Sequence, residues 1–229
     1  MPILTSSPKV CIANFSSSFD GPRTDFGSLT RICGQPLQQA VNPAVLIVMS
    51  TSTQTLTGPA LLERARAFAT RKHDGQKGKR PGETYLDHLE TVVRLLKEHG
   101  EGRDEVLAAA YLHDCLEKTD TDVAELICEF GEDIAEQVYW LTDPGDSEGP
   151  EKELLSAWLL ARAPIEAKLI KLADIADNVD AIRQNDPARW PRFRESKGRI
   201  LDRMAAVEGK GFERLTLFMQ ARAALASIS

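Results

Sequence analysis

Cysteine is scarce in this chain, long apolar runs and an excess of positive charge are missing, and each of these closes off a class of function. The four cysteines among 229 residues, Cys11, Cys33, Cys115 and Cys128, show no CxxC spacing. That argues against a zinc site or a disulfide framework and favours reduced thiols in a cytosol. No apolar stretch reaches the roughly 20 residues that a membrane helix needs. VLIVM, from Val45, lies too deep and lacks the basic lead-in of a signal peptide. Lysine and arginine number 28 against 34 acidic residues, a net charge of −6 and the reverse of a general nucleic-acid binder. The expectation is a cytoplasmic protein with neither membrane nor nucleic acid as partner. What is present is an apolar fraction of 42%, enough to build the core of one ordinary domain.

The first fifty residues, rich in Ser, Thr, Pro and Gly without helical period, are expected to be disordered or a mis-called N-terminal extension. Met49 opens a short polar lead into a helix and reads as a natural start; the intact mass of the native protein decides this. The domain itself is placed at 56–228. PALLERARAFATRKH and TYLDHLETVVRLLKEHG both carry apolar residues at one-face spacing, the second stopping at Gly100. RDEVLAAAYLHDCLEK reads as one buried helix, and Thr121 as the N-cap of DVAELICEFG, which Gly131 closes. EDIAEQVYWLTD, EKELLSAWLLARA and IEAKLIKLADIADNVDAIRQN follow, with the breaker PGDSEGP between the first two and two more helices after Pro187. No window alternates like a strand, so the fold class is all-α, a helical bundle.

Only four histidines occur, so each can be weighed. His113 and Asp114 end the most apolar helix; neighbours there point about 100° apart, so one must reach for both to meet an ion. Taken alone, the doublet reads more easily as a helix end with a capping histidine. Two other stretches shift that balance. His88 follows Tyr85 by one turn on an amphipathic helix. Asp174 stands among Leu172, Ala173, Ile175 and Ala176, where an acid is either partnered or costly. Together they make a mixed nitrogen and oxygen set suited to Mn²⁺, Fe²⁺ or Zn²⁺ with open positions.

The ordered set KHDGQKGKRPGETYLDH, LAAAYLHDCLEKT, FGEDIAEQVYWLTD and KLIKLADIADNV resembles the HD-domain alarmone hydrolases, the hydrolase part of the RelA/SpoT homologues with their small stand-alone members. The resemblance covers roughly residues 60 to 185, and the ordered motifs are far more specific than an HD doublet. It implies an HD-domain helical bundle with a single Mn²⁺ held by His88, His113, Asp114 and Asp174. It also implies removal of the 3′-pyrophosphate from ppGpp or pppGpp, leaving GDP or GTP. Glu117, three residues after Asp114 and four after His113, shares their helical face and is the candidate to orient the attacking water or carry its proton; its bland role is a solvated last-turn glutamate. Lys77, Lys79 and Arg80, in a Gly-containing loop with Arg71 and Lys72, are candidates for the substrate phosphates. The bland alternative is a solvated basic turn. Asn178 matches the family's substrate-contacting asparagine. A synthetase activity is not expected, because the about forty residues after 185 are too few for a second catalytic domain.

Two positions depart from the family pattern. Gly78 stands where an arginine is usual, and Lys118 follows Glu117 where an aspartate normally acts in the hydrolytic step. Lys118 can attract a polyanionic substrate or repel the ion, and Asp120 or Asp122 could compensate if the turn bends inward. Two alternatives therefore stand beside the alarmone hydrolase: an HD-fold phosphohydrolase for another nucleotide, such as a 2′-phosphorylated dinucleotide, and a nucleotide- or metal-binding module that has lost turnover. The oligomeric state is open.

Overall fold

Helix starts and stops follow local chemistry. The computed structural model describes residues 57–143 and 150–227. Its helices are α1 (Pro59–Lys72), α2 (Tyr85–Glu98), α3 (Asp104–Leu112), α4 (Cys115–Lys118), α5 (Val123–Phe130), α6 (Glu132–Leu141), α7 (Pro150–Leu160), α8 (Ile165–Asn185), α9 (Trp190–Glu208), α10 (Lys210–Glu213) and α11 (Thr216–Ala226). Thr84 and Asp87 form a reciprocal capping box at the start of α2. Gly131, at φ +88°, ends α5 and admits α6. The expectations for residues 1–50 and for the breaker at 144–149 lie outside the described residues. Among the described residues the only β feature is an isolated bridge between Lys77 and Thr84.

Two local expectations need correction. Asp122, not Thr121, caps α5: its carboxylate accepts from the Glu125 amide at 2.7 Å. Thr121 stands one residue too early and instead meets the Thr119 hydroxyl at 2.8 Å. After Pro187 a one-turn helix, α10, intervenes between the two long ones, set off by Gly209 at φ +78°. Cys115 is a free buried thiol, as expected.

The core forms around α3. Val106 to Ala110 and Leu112 are each at most 2% exposed. The alanines at 108–110 let neighbours approach closely, and α1, α2, α6 and α8 all pack against α3. Each buried leucine contributes about 1.5–3 kcal/mol of transfer energy. Helix α8 is buried in a different manner. Alongside Ile170, Leu172, Ala173 and Ile175 it buries Lys168, Lys171, Asp174, Asp177 and Asn178. Steps of three and four residues place Asp174, Asp177 and Asn178 on one face, and α8 packs against α2, which carries His88. No described helix is long and apolar enough to cross a membrane.

Candidate metal centre

The helix expected to run unbroken through the His-Asp doublet stops there. His113 keeps helical angles, but Asp114, at φ −102° and ψ 0°, sits in the bridge region, and α4 restarts at Cys115. The break removes the 100° problem: His113 Nε2 lies 3.2 Å from Asp114 Oδ2. His88 comes from α2, with its Nε2 3.8 Å from Asp114 Oδ2 and 3.6 Å from Asp174 Oδ1. His113 Nε2 is 3.9 Å from Asp174 Oδ1. His88, His113 and Asp174 each offer a ligand atom, all within 4.8 Å of one another. The four side chains singled out from sequence lie close together, and three of them, His88, His113 and Asp174, form a group that could hold one ion.

Both imidazoles are prepared for a cation. His88 Nδ1 meets Asp177 Oδ2 at 2.6 Å, and His113 Nδ1 meets the Ala110 carbonyl at 2.8 Å. With the Nδ1 protons donated there, the Nε2 lone pairs point to the centre, an arrangement that fixes tautomer and ring orientation in metal sites. Neither Nε2 has a hydrogen-bond partner although both are buried, and buried polar atoms left alone are uncommon in native proteins. A divalent cation fits this donor set. Burial by itself would lower the His113 pKa, yet the charges of Asp114 and Asp174 raise it, so the point attracts positive charge.

The carboxylates already hold cations. Asp114 Oδ2 accepts a short hydrogen bond from the Tyr85 hydroxyl and a second contact, 2.7 Å, from the Lys118 ammonium. Lys118 also meets the Tyr85 hydroxyl at 2.6 Å. Asp174 Oδ2 pairs with Lys171 Nζ at 2.9 Å, and its Oδ1 accepts from Asn178 at 2.5 Å. Burial would raise both acids, but Lys171 and His113 beside Asp174, and His113 and Lys118 beside Asp114, hold them well below the usual carboxylate range. Tyr85, buried against Asp114, is pushed far up and stays a hydrogen-bond donor.

Of the expected substrate residues, Lys79 and Asn178 meet: Lys79 Nζ donates to Asn178 Oδ1 at 2.5 Å. Arg80 turns instead to structure, with 2.8 Å contacts to Asp177 and to Glu83. Lys77 is exposed. Lys72 is tied to Asp120 and Glu125, each at 2.9 Å. Glu117 is exposed on α4, close enough for its charge to act on Tyr85 and Lys197. Asp120 faces Lys72 and Asp122 caps α5, so neither replaces the acid missing at Lys118. Gly78 has a packing reason: a Cβ there would stand 2.5 Å from the Glu83 side chain, which Arg80 holds in place.

Asp177 was missing from the sequence-derived set. Its only signal was a position three residues after Asp174 in an apolar helix, which does not distinguish a ligand's support from an ordinary buried ion pair.

Comparison with known proteins agrees with this geometry. The family profile described as HD domain matches residues 65–209. The guanosine-3′,5′-bis(diphosphate) 3′-pyrophosphohydrolase MESH1 of Drosophila melanogaster is 36% identical over 132 residues, 57% of this chain and 74% of that protein. The Danio rerio protein of the same name is 37% identical over 133 residues, with the same shares covered. The solved structure titled "A metazoan ortholog of SpoT hydrolyzes ppGpp and plays a role in starvation responses" superimposes with a TM-score of 0.65 at 27% identity, covering 74% of this chain and 96% of that one.

Proposed function

Because the chain belongs to the HD-domain family, we propose that it is a metal-dependent 3′-pyrophosphohydrolase of guanosine 3′,5′-bis(diphosphate) and its 5′-triphosphate counterpart, acting in the cytoplasm through a hydrolase domain spanning 56–228. One observation carries the metal dependence: two buried imidazoles whose Nδ1 atoms are tied and whose Nε2 atoms face Asp114 and Asp174 without a partner. The named activity of the MESH1 relatives carries the substrate.

His88, His113, Asp114 and Asp174 would hold the ion, and Mn²⁺ is our reading of a site with two nitrogen and two oxygen donors. When bound, a divalent ion supplies Lewis acidity toward a phosphoryl oxygen and makes water nucleophilic near neutral pH. In hydrolysis the water oxygen bonds to the phosphorus attached to the 3′ oxygen. The bond from that phosphorus to the 3′ oxygen breaks, and a proton reaches the departing 3′ oxygen. Glu117, exposed on α4, orients the water and accepts its proton. Lys79, steadied by Asn178, meets phosphate charge as it enters. Lys118 rests on the Asp114 oxygen that would hold the ion, and once released from it the ammonium would be placed to pair with substrate phosphate.

The Lys118 contact with Asp114 also favours a second reading, a module that binds nucleotide or metal without turnover. One experiment separates the two. Purified protein is incubated with Mn²⁺ and ppGpp beside Asp114→Ala and Lys118→Asp, and products are resolved by anion exchange. GDP and pyrophosphate from the wild type, absent with Asp114→Ala, support the hydrolase. Tight ppGpp binding with turnover only in Lys118→Asp supports the silent module. Turnover of another nucleotide with ppGpp untouched would remove the substrate assignment.

A further inference from the structure

Six large apolar side chains are exposed among the described residues, and four of them lie in one short stretch: Leu154, Leu155, Trp158 and Ile165. The first three belong to α7 and are 52, 42 and 45% exposed. A helix turns about 100° per residue, so Glu151, Leu154, Leu155 and Trp158 fall on one face. Steps of three and four are the spacing with which a helix addresses a core. Yet the core of this chain is met by the opposite side of α7, where Ser156, Ala157 and Leu160 are buried. The neighbours of α7 are α9 and α6. Single apolar residues on a surface are ordinary, but a stripe of them marks an interaction site.

The two ends of the stripe carry opposite charges. Glu151 is exposed and has no ion-pair partner among the described residues. Arg162 follows just beyond the last turn, with its guanidinium 3.9 Å from the centroid of the Trp158 ring, which keeps it on the same face. Its one side-chain hydrogen bond among the described residues goes to the Trp158 carbonyl at 3.2 Å, leaving most of its five N–H donors unused.

These positions are also symmetric about the middle of α7. Leu155 and Trp158 stand equally far from the point between Ser156 and Ala157; so do Leu154 and Leu159, and so do Glu151 and Arg162. A second copy turned about a two-fold axis at that point lays leucine on tryptophan twice and glutamate on arginine twice. A parallel alignment would instead set glutamate against glutamate and arginine against arginine. A foreign partner would need neither the symmetry nor the reversed charges.

We propose that this face of α7 is a homodimer interface, closed by a second copy of the chain in antiparallel alignment. Leu155 packs on Trp158 of the second copy at the centre, and Glu151 pairs with its Arg162 at each end. The inference goes beyond the hydrolase reading and is independent of it. An 11-residue helix is about 16 Å long. Its contact falls below the roughly 1,200 Å² of standard stable interfaces, so the dimer is reversible, with dissociation on the order of micromolar.

Sedimentation velocity of the full chain tests this, with melting curves to check that each variant folds. Wild type should move from monomer toward dimer over an about hundredfold rise in concentration. Leu155→Glu places an unpaired charge in the contact and should leave monomer throughout. Glu151→Arg and Arg162→Glu each oppose like charges and should weaken the dimer about tenfold or more. An equimolar mixture of those two variants should dimerise like wild type, because both charge pairs are restored between unlike copies. Monomer at every concentration overturns the proposal, whatever else that face then meets, a lipid surface included. So does a dimer indifferent to Leu155→Glu, and so does a mixture no tighter than either charge variant by itself. If Leu155→Glu does not fold, the two charge variants, at exposed positions, decide alone.

Discussion

The nitrogen and oxygen halves of the centre lie within a few ångströms of each other and are prepared in opposite ways. The imidazoles of His88 and His113 are anchored at the far nitrogen and free at the near one. The carboxylates of Asp114 and Asp174 are each held by a lysine from their own segment, Lys118 and Lys171. The nitrogen half thus selects for a cation and leaves the place open, while the oxygen half keeps its charge neutralised by side chains a cation must displace or share. The two lysines also differ. Lys171 is 8% exposed and Asp174 has a second oxygen to give, whereas Lys118 is a third exposed at the side chain and sits on the ligand oxygen itself. Lys118 is the exchangeable one.

Mutations can break or sharpen that contrast, and Asp174→Ala should have the largest effect. It removes a ligand and strands buried Lys171, so metal binding should vanish and the metal-free protein lose about 3–5 kcal/mol in denaturant unfolding. An unchanged midpoint would mean that Lys171 finds water and that the oxygen half is not held as described.

Asp177→Asn comes next. Weakening the support of a ligating histidine typically lowers metal affinity about 10–100-fold, measurable by competition with a chelator. The same change has a pH signature. Burial would raise the Asp177 pKa, but the hydrogen bonds from His88 and Arg80 hold it below the ordinary value. Its stabilisation is therefore complete above about pH 4 and fades as pH falls through the depressed native value. Asp177→Asn should flatten that acid limb of the stability curve.

Lys118→Met should act in the other direction, raising metal affinity about fivefold, the yield of releasing a part-exposed ion pair of roughly 1 kcal/mol. If affinity falls instead, Lys118 organises the centre rather than competing with the ion. The smallest effect belongs to Asp120→Ala. Its ion pair with Lys72 is solvent-exposed, so neither stability nor metal affinity should move measurably.

Legibility in sequence followed the range of the forces involved. The long helices were readable because apolar spacing and caps act within a turn or two, as Thr84 with Asp87 and Gly131 illustrate. The four candidate ligands could be singled out because an acid or histidine within an apolar helix demands a partner. Thr121 against Asp122 was a one-residue error in a run of several good capping residues. The break at Asp114 was hidden, since nothing in LHDCLEK disfavours helix and the interruption is sustained by contacts from Tyr85 on another helix. Glu117 was placed on the ligand face by counting through an unbroken helix; with the break it stands exposed.

By itself the sequence determined the helices and the few polar residues they carry into the core, because periodicity and desolvation are properties of neighbouring residues. Only the tertiary structure decided which nitrogen of each histidine faces the centre, that Asp177 stands behind His88, and that Lys118 rests on Asp114. Those outcomes depend on directions and distances of a few ångströms between α2, α4 and α8, and such geometry is set by packing among segments far apart in the chain.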